Sequence, residues 1–93
     1  MAAVKESAIE AELVIRVTLA GGMCKKVTVL GERGFFDRLV ILPGARVIFV
    51  ELKKPKGGRV SPHQKQWAAR CRSLGVEVAL VKRSADIDRL LAP

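Results

Sequence analysis

The chain has 93 residues, 49% hydrophobic and 28% charged, enough for one folded domain with a real but thin core and too apolar for a disordered tail. Lys and Arg number 17 against 9 Asp and Glu, and the net charge of +8 favours a polyanionic partner, because each phosphate neutralised releases condensed counterions. The bland alternative is a basic protein that is merely soluble, or that sits on a ribosome or on anionic lipid. No apolar run approaches the roughly 18–20 residues of a membrane span. The opening Met-Ala-Ala-Val-Lys-Glu-Ser lacks the basic-then-apolar layout of a secretory signal. Cys24 and Cys71 lie too far apart for zinc-site spacing and read as free, buried thiols, which points to a reducing compartment such as the cytoplasm.

Residues 4–20 read as a helix, with Ile9, Leu13 and Val17 recurring at i, i+4 and i+8. At about 100° per residue, Glu6 and Glu10 project towards the buried side of that helix. Gly21-Gly22 ends it. A first strand is predicted over residues 23–30, then a Gly-Glu-Arg-Gly loop, then two strands over 37–42 and 46–53. Pro43-Gly44 between the two apolar runs marks a β-hairpin that folds back near Ala45. A turn-rich basic loop follows, from Lys54 to Arg59. Ser61 caps a second helix, with Pro62 at its first position and Gln64 three residues after the cap; Trp67, Cys71 and Leu74 form its apolar stripe and Gly75 stops it. Residues 76–81 read as a buried strand, and Ser84 caps a closing helix carrying Ile87, Leu90 and Leu91. The order is helix, three strands, helix, strand, helix: an α/β domain with a mixed sheet flanked by helices.

The hairpin brings Asp37 beside Glu51, and period-two alternation sets Lys53 on the same sheet face as Glu51. A one-residue slip would instead set Asp37 opposite Leu52. Two carboxylates and an ammonium at one end of a hairpin suit a divalent metal that activates water against a phosphodiester. Hard Mg²⁺ keeps several waters and needs few oxygen anchors, here Asp37 and Glu51 with the backbone carbonyl of Leu52. Lys53 can orient the attacking water or stabilise developing negative charge. Acidic and basic residues at strand ends are, however, most often solvated termini. Glu6 and Glu10 are either further metal ligands or salt-bridge partners of Arg38 or Lys53. Gln64 either points its amide into the site or completes a capping box with Ser61. His63 is the lone histidine and reads as a surface residue or anion contact, and with no orienting acid it makes no triad with Ser61. Lys54, Lys56, Arg59 and Lys65, with Arg70 and Arg72, are candidate phosphate contacts; Lys25, Lys26 and Arg33 form a second basic group.

Three segments together resemble the stand-alone viral-type VRR-NUC domain of the PD-(D/E)XK nuclease superfamily. They are Gly34-Phe35-Phe36-Asp37-Arg38-Leu39-Val40-Ile41-Leu42-Pro43-Gly44, Val50-Glu51-Leu52-Lys53, and Ser61-Pro62-His63-Gln64. The resemblance spans nearly the whole chain. It implies a restriction-endonuclease-like αβββαβα core and Mg²⁺- or Mn²⁺-dependent cutting of DNA. Asp37, Glu51 and Lys53 match the family's metal-binding and catalytic motif, Gln64 its glutamine, and Glu6 its first-helix glutamate, with Glu10 a close second. Small phage and bacterial members look like homodimers acting on four-way junctions, so the expected setting is the cytoplasm of a bacterial or phage-infected cell. One departure is Phe36, where the family usually has proline. The rival readings are a flap, nicking or single-strand nuclease, and a non-catalytic basic nucleic-acid-binding module.

Overall fold

Seven elements follow one another along the chain: α1 (Glu6–Leu19), β1 (Met23–Lys26), β2 (Arg38–Leu42), β3 (Arg46–Leu52), α2 (Pro62–Ser73), β4 (Glu77–Val81) and α3 (Ser84–Leu91). The computed structural model describes residues 5–32 and 34–93, so Val4, at the start of the first predicted helix, and Arg33, in the predicted loop, lie outside the described residues. The sheet order is β1-β2-β3-β4. Its first two pairings are antiparallel and the third is parallel. An antiparallel return needs only a turn, whereas the parallel return from β3 to β4 needs a crossover, which α2 supplies.

The hairpin closes through residues 43–45, with Leu42 opposite Arg46 and with Gly44 and Ala45 both in the left-handed region at φ 85° and 60°. That turn sets Arg38 opposite Val50, so the one-residue slip does not occur. Alternation then sorts the two strands. Val40, Leu42, Ile48, Val50 and Leu52 join Ile9, Leu13 and Val17 of α1, Val81, and Ile87 and Leu90 of α3 in one core. The first and third helices cover this face side by side, tied by Arg16 to Asp88 and by Ser84 Oγ donating to Glu12. Phe49, Glu51 and Lys53 alternate onto the opposite face, which α2 covers.

Five local expectations are corrected. The first strand stops at Lys26 rather than running to residue 30, because β2 begins only at Arg38, the partner of Lys26. Beyond it the Val27 N–H still reaches the Asp37 carbonyl, but Val29 and Leu30 stand exposed. The strand predicted as buried, β4, is an edge strand, buried at Val81 but open at Glu77 and Leu80. Helix α2 buries no residue fully, and Leu74 of its predicted stripe is exposed. Finally, Ser84 is the first residue of α3 rather than its cap: the Asp86 carboxylate accepts the N–H groups of Lys82 and Arg83 and satisfies the helix start. Cys24 and Cys71 are free thiols, each half-buried rather than buried. No described helix is long and apolar enough to cross a membrane.

Candidate active site

The end of β3 carries the site because Asp37 grips it through one backbone and one side-chain hydrogen bond. Asp37, just before β2, donates its N–H to the Val50 carbonyl at 3.0 Å. Its Oδ2 accepts the Leu52 N–H at 2.7 Å. The two bonds bracket Glu51, so the aspartate side chain is fixed against the strand that presents the glutamate. Alternation along the same strand brings Lys53 Nζ to 3.7 Å from Glu51 Oε1.

Gln64 does both jobs that the sequence left open. Its Oε1 accepts the Ser61 N–H at 2.9 Å while Ser61 Oγ accepts the Gln64 N–H at 3.2 Å, closing a capping box. The cap spends the amide oxygen and turns the amide nitrogen towards the sheet, where Nε2 donates to Glu51 Oε1 at 2.6 Å. The start of α2 and the end of β3 are thus joined through one side chain.

Glu51 is only 5% exposed, the one charged residue buried among those described. Its Oε1 is served by Gln64 and Lys53, but its Oε2 is buried without any partner. Burial, and then the neighbouring Asp37, push the Glu51 carboxyl up to about 8, against the pull of Lys53. Two carboxyls this close, one of them buried, cost free energy to ionise together unless a proton or a cation lies between them. A divalent cation beside Asp37 and Glu51 would remove that cost, so the donor set fits one. Among the described residues no three His, Cys, Asp or Glu side chains cluster, so such a cation would rest on two carboxylates, a backbone carbonyl such as that of Leu52, and water. Mg²⁺ favours that ligation.

The first helix contributes less to this cluster than its pattern suggests. Glu6 is exposed rather than inward-facing. Glu10 is half-buried and its Oε2 accepts from Arg38 Nε at 2.8 Å, the salt-bridge alternative read from the sequence. The physical reason is the sheet: Arg38 alternates with Val40 onto the α1 face, while Glu51 alternates onto the α2 face. Lys54, Lys56 and Arg59 are exposed on the loop between β3 and α2, and Lys65 is exposed one turn into α2. Arg83 donates to the Pro55 carbonyl and ties this loop to α3. The loop also turns tightly at Gly58, where a Cβ would come within 2.9 Å of Lys53 Cβ.

Sequence reasoning passed over the packing behind Asp37. The chain has three Phe and one Trp, and all four form one cluster. Phe36, 3% exposed, stacks on Phe49 with centroids 5.2 Å apart, and Phe35 meets Trp67 of α2 edge-on at 5.4 Å. Gly34, at φ 67°, lets the approaching chain lie against α2, where a Cβ would meet His63 Cβ at 2.6 Å. Phe36 therefore fixes by burial the backbone that proline would restrict by its ring. The adjacent pair Phe35-Phe36 immediately before the aspartate was the available signal.

The family model described as the VRR-NUC domain matches residues 33–85. The chain belongs to the VRR-NUC family. A phage protein named "Putative nuclease p44", from Acyrthosiphon pisum secondary endosymbiont phage 1, is 41% identical over 91 residues, covering 98% of this chain and 96% of that protein. A solved structure described as a VRR_NUC domain superimposes with a TM-score of 0.87 at 34% identity, covering 96% of each chain. The mixed four-stranded sheet with three helices is thus the VRR-NUC fold, and Asp37, Glu51, Lys53 and Gln64 all fall within the matched segment.

Proposed function

We propose that this VRR-NUC domain is a divalent-metal-dependent DNA endonuclease that cuts branched DNA, four-way junctions foremost, as a homodimer. The observation that carries the metal dependence is the unpartnered, buried Oε2 of Glu51 beside Asp37. With Mg²⁺ or Mn²⁺ bound there, the cation supplies Lewis-acid polarisation of a phosphate oxygen and lowers the pKa of a bound water. The chain's own residues do the rest. Asp37 and Glu51 fix where the charge sits, each held by the bonds described above. Lys53, tethered by its attraction to Glu51, lies where a point cation can orient the attacking water or offset charge developing on the phosphate. Gln64 positions Glu51 and neither binds nor transfers anything itself. The loop cations Lys54, Lys56 and Arg59, with Lys65, supply phosphate contacts on the same side of the sheet.

Two incisions on opposing strands of a junction need two sites, and one chain carries one Asp37–Glu51–Lys53 set; a two-fold dimer matches the symmetry of that substrate. Support comes from apolar surface along α1 and β1, where Ile15, Leu19 and Met23 are 59%, 82% and 48% exposed. The test compares cleavage of duplex, flap, single-strand and four-way-junction DNA with Mg²⁺, Mn²⁺ or chelator, alongside light scattering. Metal-dependent cutting that is fastest on junctions, by a protein of dimer mass, is expected. Full cleavage in excess chelator would remove the mechanism, and Lys53→Ala cutting at the wild-type rate would reduce the lysine to a strand-end charge. A monomeric mass both free and on junction DNA would leave a flap or nicking nuclease.

A further inference from the structure

A cleft of about 250 Å³ opens between α2 and β4 and reaches Glu51 and Phe36, the residue before Asp37. It exists because the crossover helix covers this edge of the sheet thinly: α2 buries no residue, and Leu80 remains 39% exposed. The walls are apolar, from Val60, Ala68, Val78 and Leu80. Glu51 and Gln64 line the cleft from the sheet and from the start of α2, and the exposed Lys65 and Arg72 line it as well. Its volume is below the ~300–1,000 Å³ of pockets that bury drug-sized ligands, and suits a single flat heterocycle. An occupant that is apolar and planar at its centre, and anionic where it emerges beside two cations, is a nucleotide.

We propose that this cleft receives one unstacked base of the substrate strand, from the nucleotide next to the phosphate that a cation on Asp37 and Glu51 would hold, with Lys65 and Arg72 on the flanking phosphates. The inference rests on the nuclease reading and extends it to substrate selection. Unstacking is cheapest where the duplex is already interrupted, so a site that demands one free base discriminates in favour of branch points and against perfect duplex. Filling or emptying the cleft should therefore change binding at one nucleotide position only.

The test is an abasic scan. Labelled junction DNA carrying a single abasic nucleotide, moved one position at a time through the branch point, is titrated with the full chain by fluorescence anisotropy. Ca²⁺ replaces Mg²⁺ to prevent cleavage. The wild-type protein should lose about tenfold in affinity at one position and little elsewhere, as expected when the apolar surface of one base is no longer buried. Ala68→Phe, which fills the cleft, should bind intact DNA about tenfold more weakly and show no further abasic penalty. Ala68→Leu substitutes if circular dichroism shows that the larger ring prevents folding. A flat abasic profile overturns the proposal, as does a penalty that persists unchanged in the filled-cleft variant. Because the readout is binding, its failure is separable from that of the nuclease reading: junction cleavage with a flat profile removes only the base site, and a position-specific penalty without cleavage removes only the catalysis.

Discussion

If Glu51 must give up a proton to hold a cation, metal binding and protonation are linked, and the linkage has a computable size. The Glu51 carboxyl stands at about 8 in the metal-free protein. At pH 7 it is then ionised in about a tenth of molecules, and at pH 6 in about a hundredth. Apparent affinity for Mn²⁺ should therefore rise about tenfold, or about 1.4 kcal/mol, per pH unit from 6 towards 8 and level off above it. Close to one proton should be released per ion bound at pH 7. Calorimetric titration of Mn²⁺ in buffers of different ionisation enthalpy measures both quantities, and Glu51→Gln should abolish both. The same shift fixes a sign for metal-free stability. Between pH 4.5 and about 8 the folded chain keeps a proton that the unfolded chain has lost, so this group's contribution is fully present below 4.5 and is lost as pH rises through 8. Saturating divalent cation should flatten or reverse that decline, since the ion takes the place of the proton. An affinity that is constant from pH 6 to 8, or binding without proton release, would refute the assignment of Glu51 as the buried ligand.

Gln64→Ala removes a cap partner and the amide on Glu51 together; about 1–2 kcal/mol is expected, read as a fall in Tm of about 4–8 °C per kcal/mol. Arg46 grips Glu77 through two bonds of 2.9 Å and donates to the Leu90 and Ala92 carbonyls. Arg46→Ala should therefore cost about 1–2 kcal/mol in urea unfolding and leave metal affinity unchanged, whereas Glu77→Gln, on a half-exposed pair, should cost under about 1 kcal/mol. Neutralising Lys54, Lys56 and Arg59 together should reduce the slope of log affinity against log salt by about 2.7 on duplex arms; an unchanged slope would place the DNA path elsewhere, with Lys25 and Lys26 the next group to test.

Two features of the site follow from short-range rules and were legible without coordinates. Alternation puts Glu51 and Lys53 on one face whatever the rest of the chain does. The Pro43-Gly44 turn marks the hairpin that brings Asp37 towards Glu51, although the register that excludes a slip to Leu52 came only with the Arg38–Val50 pairing. Capping chemistry likewise marked Ser61 and Gln64, since it involves neighbours three residues apart. Helix and strand existence followed from periodicity in the same way, because a period is a property of consecutive residues.

What depended on tertiary packing was everything decided between elements. Glu10 meets Arg38 rather than Asp37 and Glu51 because α1 lies on the core face of the sheet, and no periodicity within α1 says which face of another element it will cover. Residues 27–30 leave the sheet because their potential partner strand starts only at Arg38. The cap glutamine reaches Glu51 only because the crossover brings α2 over the end of β3. Phe35, Phe36, Phe49 and Trp67 find one another across three separate segments, and in doing so hold the backbone before Asp37 in place of the expected proline. The rise of the Glu51 carboxyl has the same origin. Desolvation is the sum of what every surrounding element excludes, so it exists only once the sheet, α2 and the loop before Asp37 have closed around one side chain.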